Sequence, residues 1–296
     1  MFERIRSFFN KPSASFQILS DLHLEINQQY SAFEIPVRAN HLILAGDIGR
    51  LVDYDNYLSF LQKQTDWFKL VFLALGNHEF YNLGFAQGLE RAQQLENEPS
   101  LNGRLVLLNR RRYDLDSPEE ETKTGTEDPQ ITILGCTLWS HIPAASALLV
   151  RSKIQDFEKI HSWTVDTHNA AHEEDTTWLL EQMKSIQQQN TTLPRHQQRK
   201  ILVITHHAPS LTRTSHPQHA ANPWSSAFGT DVFSQMSAAM LKEVKVWVFG
   251  HTHYTTEFRE RGVRVLSNQR GYVLPWMEGK SGKAEDGFDV EKVVHV

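Results

Sequence analysis

The sequence predicts an α/β domain, and two observations carry that prediction. Eight short apolar runs, each four to six residues long and rich in Val, Ile, Leu or Phe, recur along the 296 residues. Runs of that length read as strands buried on both faces. Helical patterns separate many of them, and alternation of strand and helix is the signature of an α/β architecture. A domain takes roughly 100–200 residues, and no repeat or Pro/Gly-rich linker divides the chain, so residues 1–296 read as one domain.

The elements follow in order. The first strand, Phe16–Leu19, runs into Asp21-Leu-His23. His41–Ala45 is the second, ending at Gly46-Asp47, and Asp55–Lys69 has the spacing of a helix. Leu70–Leu75 is the third strand and leads into Gly76-Asn77-His78-Glu79. A helix over Gly84–Glu96 and a strand over Leu105–Leu108 come next. The acidic stretch Asp114–Gln130 has no apolar periodicity and reads as a solvated insertion. Beyond it lie the strand Ile131–Leu134 and a helix over Asp166–Gln188, which carries Trp178, Leu179 and Met183 on an otherwise polar surface. After a polar connection, the strand Ile201–Thr205 ends at His206-His207. A helix over Asp231–Glu243 precedes Val246–Phe249, which runs into Gly250-His251-Thr252-His253. Val263–Leu266 is the last of the eight runs. An exposed loop over Glu278–Asp289 leads to a short strand within Val290–Val296.

Composition excludes several classes. The mean hydropathy is −0.44, and no apolar run approaches the 18 or so residues that a membrane helix needs. The charged, Pro-broken N-terminus lacks the apolar core of a secretion signal, so a cytoplasmic protein is expected. A single cysteine, Cys136, makes neither an internal disulfide nor a thiolate metal cluster. Thirty basic residues against 35 acidic ones leave a net charge of −5, which argues against nucleic acid as a partner. Arg110-Arg-Arg112 is too short a basic patch to change that. No G-x-G-x-x-G or G-K-[ST] loop follows a strand, which excludes the common nucleotide-binding folds.

Histidine is the anomaly, with 15 in the chain. His161, His168, His172, His196, His216, His219 and His295 lie in polar or helical stretches and are expected to be solvated. The others cluster behind strands, where open α/β sheets place their ligands. Their neighbours add carboxylates and one amide but no thiolate. Such a shell suits Mn²⁺ first, with Fe, Zn, Co or Ni as alternatives, and not Ca²⁺. In Asp21-x-His23 and His251-x-His253, residues two apart on an extended segment face one pocket. The set is too large for one ion and matches two ions sharing a carboxylate.

D-x-H, G-D, G-N-H-E, H-H and G-H-x-H in this order resemble the calcineurin-like metallophosphoesterase superfamily. Ser20–Glu25, Gly76–Tyr81, Thr205–Ser210 and Ser267–Tyr272 are similar to a broad microbial and fungal group described only as phosphoesterases. The resemblance implies a four-layer α/β/β/α sandwich of two mixed sheets, with a dinuclear metal site at the carboxyl ends of the strands. It implies one ion on Asp21, His23, Asp47 and His253, and a second on Asp47, Asn77, His206 and His251. His78 matches the catalytic histidine, beside the metals and not a ligand. Strand register favours His206 over His207 as the ligand, since neighbours on a strand point oppositely.

The implied activity is hydrolysis of a small phosphomonoester or phosphodiester by a metal-bridging hydroxide. Two divalent cations against two carboxylates leave a surplus positive charge for hydroxide and an anionic ester. Arg50, Arg270 and His207 are candidate substrate contacts, and Tyr81, Trp139, His141 and Tyr254 candidate pocket walls. Two departures narrow the branch. Arg50 stands where purple acid phosphatases carry a tyrosine, and Gly46-Asp-Ile-Gly-Arg50 is not the G-D-x-V-D-R-G of protein phosphatases. The second leaves no carboxylate assigned to orient His78. A nuclease on the same site and a silent scaffold binding a partner protein are the alternatives, and the intact motif set speaks against the scaffold.

Overall fold

The computed structural model describes residues 14–115, 130–274 and 287–296. Two mixed sheets lie at its centre. The first has the order β11-β1-β2-β3-β4, formed by Val293–His295, Ser15–Leu19, His41–Ala45, Leu70–Ala74 and Leu105–Leu107. Its four sequential strands are parallel, and β11 pairs antiparallel with β1. The second sheet has the order β5-β6-β7-β8-β10-β9. Here β6 (Ile131–Cys136), β7 (Lys200–Thr205), β8 (Val244–Phe249) and β10 (Val263–Ser267) are parallel. The edge strands β5 (Arg111–Leu115) and β9 (Glu257–Glu260) are antiparallel to their neighbours.

The strands read as unbroken apolar runs because both of their faces are buried, and alternation decides which layer each residue joins. Ile43, Ala45, Phe72 and Ala74 meet Ile133, Leu202, Ile204 and Val248 in a core between the sheets. Leu42, Leu44, Val71 and Leu73 point the other way, into a core with Tyr57, Phe60 and Leu61 of α1 (Tyr54–Trp67) and Ala92 and Leu95 of α2 (Phe85–Glu96). On the far side, Leu134, Val203, Trp247 and Val265 pack against Leu179, Met183 and Ile186 of the 28-residue helix Val165–Thr192. The result is helix, sheet, sheet, helix.

Differences from the sequence reading have local causes. Strands β5 (RRYDL) and β9 (EFRE) carry charge and are only partly buried. They lack an apolar signature because edge strands present charged residues that discourage further pairing. Two short helices, α3 (Ala147–Lys153) and α4 (Asp156–Lys159), are too brief to show periodicity. The long helix Val165–Thr192 is therefore α5. The helix expected over Asp231–Glu243 is a 3₁₀ turn at Phe233–Gln235 followed by α6 (Ala238–Glu243), capped by the Ser237 hydroxyl. Nearly all of the expected acidic insertion, and most of the expected 278–289 loop, lie outside the described residues. His168 and His172 are buried, not solvated. They sit on the core-facing stripe of α5, where Ser140 meets His168 Nε2 and the Leu138 carbonyl accepts from His172 Nδ1.

Candidate metal centre

All the residues singled out as ligands lie just beyond the carboxyl ends of β1, β2, β3, β7 and β8. The parallel strands of both sheets thus deliver their loops to one place. Asp21, His23, Asp47 and His253 form one cluster, and Asp47, His206 and His251 another, with the candidate ligand atoms of each within 4.8 Å of one another. Asp47 belongs to both.

The backbone at these positions is unusual. Asp21, His23, Asp47, His251 and His253 all have positive φ, between 47° and 71°. For non-glycine residues this conformation costs on the order of 1–3 kcal/mol each and persists only where the surroundings enforce it. It also corrects the reasoning from extended segments. Asp21 and His23 converge with His253 because each chain turns left-handed past its strand, not because alternate residues of a strand share a face. Close packing is enforced as well. A Cβ at Gly46, itself at φ +86°, would overlap the His206 ring, and one at Gly76 would overlap the Asp47 carboxylate.

Hydrogen bonds fix the orientation of several candidate ligands. The Ala45 carbonyl accepts from His206 Nδ1 at 3.0 Å, which aims Nε2 at Asn77 Oδ1 (3.1 Å) and Asp47 Oδ1 (3.4 Å). Asp156 accepts from Asn77 Nδ2 at 2.7 Å, so the amide turns its oxygen to the cluster. The Asp21 carboxylate accepts from the His251 amide at 2.9 Å, and the Asp47 carboxylate from the His78 amide at 2.9 Å. His23 Nε2 and His253 Nε2 stand 2.9 Å apart. Buried Glu79 accepts from the amides of Asp47, Ile48 and Gly76 and from the Tyr57 hydroxyl, holding the turn that carries Asp47.

These residues fit a pair of cations. The donors are imidazole nitrogens, carboxylates and an amide oxygen, the mixture that suits first-row divalent metals. Among the described residues, His251 Nε2 is buried with no hydrogen-bond partner, a costly state for a polar atom unless something outside the chain meets it. Charge points the same way. Burial works against ionisation of Asp47, but His206 and His78 outweigh it and hold the carboxyl well below its usual range. Burial raises Asp21 to about 7. His253 is pushed down to about 3 by burial and by neighbouring His23, and so offers a neutral ring.

The sequence profile described as calcineurin-like phosphoesterase matches residues 15–255. The chain belongs to that family. Structural comparison finds a similar fold in a solved structure. The phosphopantetheinyl hydrolase of Mycobacterium tuberculosis superposes with a TM-score of 0.62 at 17% identity, covering 97% of each chain. An uncharacterised protein of Acanthamoeba polyphaga mimivirus is 27% identical over 276 residues, 86% of this chain and 90% of its own. The family implies divalent metal ions, in keeping with the Asp/His clusters.

The carboxylate left unassigned for His78 is Glu25. Its Oε1 accepts from His78 Nδ1 at 2.8 Å and lies 3.4 Å from His23 Nδ1. The signal was present as a third acidic or basic residue in Asp21-x-His23-x-Glu25. His78 Nε2 lies 3.1 Å from the Tyr272 hydroxyl and 4.0 Å from Asp47 Oδ2, and its ring stacks on Tyr81 at 4.1 Å. Burial disfavours the imidazolium, but Asp47 and Glu25 outweigh that and raise His78 to about 9. Neither Tyr272 nor Asp156 was singled out in the sequence.

The other candidates are placed as follows. Arg50 turns away from the centre to a bidentate pair with Asp53, and Arg270 bonds the Leu22 carbonyl and Gln29 over the Phe33 ring. Their guanidinium groups serve neighbouring loops and line no part of the cavity over the clusters. His207 is fully buried behind His251, ring centroids 4.1 Å apart, and does not reach that cavity either. Of the candidate walls, Tyr81 lines the cavity, whereas Trp139 is buried in an aromatic cluster with Phe80, Phe85 and Trp163. His141 and Tyr254 are not among the lining residues.

Proposed function

We propose that the chain is a metal-dependent phosphoesterase that hydrolyses small phosphomonoesters or phosphodiesters, working as a single catalytic domain in the cytoplasm. The observation that supports this most is the pairing of two candidate ligand clusters sharing Asp47 with His78 at their edge, 4.0 Å from Asp47 Oδ2. Asp21, His23, Asp47 and His253 would hold one divalent ion, and Asp47, Asn77, His206 and His251 the other, with Mn²⁺ preferred and Fe, Zn, Co or Ni compatible. When bound, the ions supply Lewis-acid polarisation of the phosphoryl group and a water acidified enough to act near neutral pH.

The chain's own groups do the rest. Overall, water oxygen bonds to phosphorus, the ester P–O bond breaks, and the leaving oxygen departs as an alcohol. His78, whose pKa Asp47 and Glu25 lift to about 9 in the metal-free chain, is the group that can hand that oxygen its proton. Glu25 holds Nδ1 and so directs Nε2 toward the cavity, where Tyr272 keeps it in place. Asp156 and Tyr81 fix the Asn77 amide. The test is hydrolysis of p-nitrophenyl phosphate and bis-p-nitrophenyl phosphate after chelation and Mn²⁺ add-back. Metal-dependent release from either ester is expected, and the ratio ranks monoester against diester. No release from either, with metal bound, counts against the reading.

A further inference from the structure

The cavity over the ligand clusters is larger than a phosphoryl group needs. Its volume is about 470 Å³, within the roughly 300–1,000 Å³ of sites that enclose drug-sized ligands. Its lining includes the polar groups of Asp47, Asn77, His78 and His251. It also includes a wall of different chemistry, formed by Lys153, at the end of α3, and by Trp224 and Phe228 from the excursion between β7 and α6.

That wall is built into the fold. Ala208 donates to the Phe228 carbonyl and Thr230 to the Ala208 carbonyl, both at 3.1 Å, closing the base of the excursion. Beneath it Ile142, Val150 and Ala227 form a small apolar cluster, apart from the three main cores, against which Trp224 and Phe228 pack. This cluster ties α3 to the 224–228 turn and so fixes the two sides of the wall to each other. The Phe228 ring lies 4.9 Å from the His251 ring at 30°, so the aromatic surface begins at the edge of the ligand cluster.

Among the described residues, Lys153 is the only Lys or Arg in the lining, with Nζ 5.7 Å from the centroid of the Trp224 ring. Among the described residues it makes no ion pair. A flat aromatic face favours a flat ring, and an ammonium free of a carboxylate partner favours an anion. We infer that this wall forms a leaving-group subsite for an aromatic ring bearing a second negative charge. The preferred substrates are then aryl or heteroaryl phosphate esters with a further anionic group. The inference rests on the phosphoesterase reading of the clusters.

Binding of phosphonates, whose P–C bond resists hydrolysis, separates the two ideas. Methylphosphonate, benzylphosphonate and 4-carboxybenzylphosphonate are titrated calorimetrically into the Mn²⁺-loaded chain, with p-nitrophenyl phosphate turnover measured alongside. Affinity should rise in that order. Trp224→Leu, which keeps apolar bulk, should erode the benzyl-over-methyl preference roughly 3–10-fold, while Trp224→Phe retains most of it. Lys153→Met should cut the carboxylate's added affinity about 2–5-fold, an effect that shrinks with salt. Turnover with equal binding of all three ligands, or with preferences unmoved by the variants, overturns the subsite alone. Preserved discrimination without turnover overturns the hydrolytic reading and leaves the subsite. No binding of any phosphonate overturns both.

Discussion

Replacing Glu25 by Gln removes one charge from beneath His78 and changes little else. The carboxylate is buried, accepts from His78 at 2.8 Å, and lies 3.4 Å from His23 Nδ1. Burial alone would raise its pKa, yet the hydrogen bonds from His23 and His78 reverse that and hold it at about 2. Glutamine keeps the shape and an acceptor oxygen but turns a charge-assisted bond into a neutral one. Hydrogen bonds to charged groups contribute about 1.5–3 kcal/mol and neutral ones about 0.5–1.5, so the loss is about 1–1.5 kcal/mol. At about 1.4 kcal/mol per decade of rate, kcat should fall roughly 5–15-fold. The imidazolium also loses a counter-charge, so the His78 pKa drops. Because the protonated ring is the proposed general acid, the alkaline limb of the kcat profile should move to lower pH. The assay is aryl phosphate turnover against pH, with metal content measured on the same samples. Unchanged kcat and an unmoved alkaline limb, with metal retained, would refute this role. Loss of metal in place of rate would shift the role of Glu25 to support of His23.

His78→Ala should lower kcat by about 10²–10⁴, the usual contribution of general acid–base catalysis, while metal analysis finds the ions still bound. Loss of the ions would make His78 a ligand. His206 carries its proton in the metal-free chain, since Asp47 and Asp21 outweigh burial and lift it to about 10. Manganese binding at pH 7.5 should therefore release on the order of one proton per chain, seen as a dependence of the calorimetric enthalpy on buffer ionisation; no such dependence would contradict the charge assignment. Outside the site, burial raises Asp175 of α5 to about 7 against an ordinary value of 3.8. The folded chain then holds a proton that the unfolded chain has lost, so this residue makes stability fall as pH rises from about 4 to about 7. In Asp175→Asn that part of the Tm decline should be absent, and a variant declining as steeply as the parent would sink the argument.

The strands and the ligand loops were legible because one physical demand governs both. A strand covered on two faces must be apolar throughout, so a polar His, Asp or Asn just beyond it stands out. Glu25 was hidden for the opposite reason, since a glutamate after an alternating segment reads as an exposed residue until the left-handed turns at Asp21 and His23 fold it back. His168 and His172 were misread because the buried stripe of α5 continues through Asp175 and Thr176 before it becomes apolar at Leu179, Met183 and Ile186. Counting apolar residues alone misses a stripe whose first half is held by hydrogen bonds to Leu138, Ser140 and Arg110. Arg50 sits in sequence beside a ligand motif and Arg270 within the family-like stretch Ser267–Tyr272, yet each has a nearer partner in space. The cavity wall at α3 and residues 224–228 has no periodic signature, because its apolar cluster joins two short segments distant in the sequence.

Metal stoichiometry of the parent chain and of Asp47→Asn, measured by mass spectrometry after dialysis against Mn²⁺, tests the shared carboxylate most directly. The parent should hold about two ions per chain, as two-metal hydrolytic sites do. Removing the charge common to both clusters should lower occupancy at both and nearly abolish turnover. A variant that keeps both ions and the parent's rate would contradict the dinuclear centre on which the account stands.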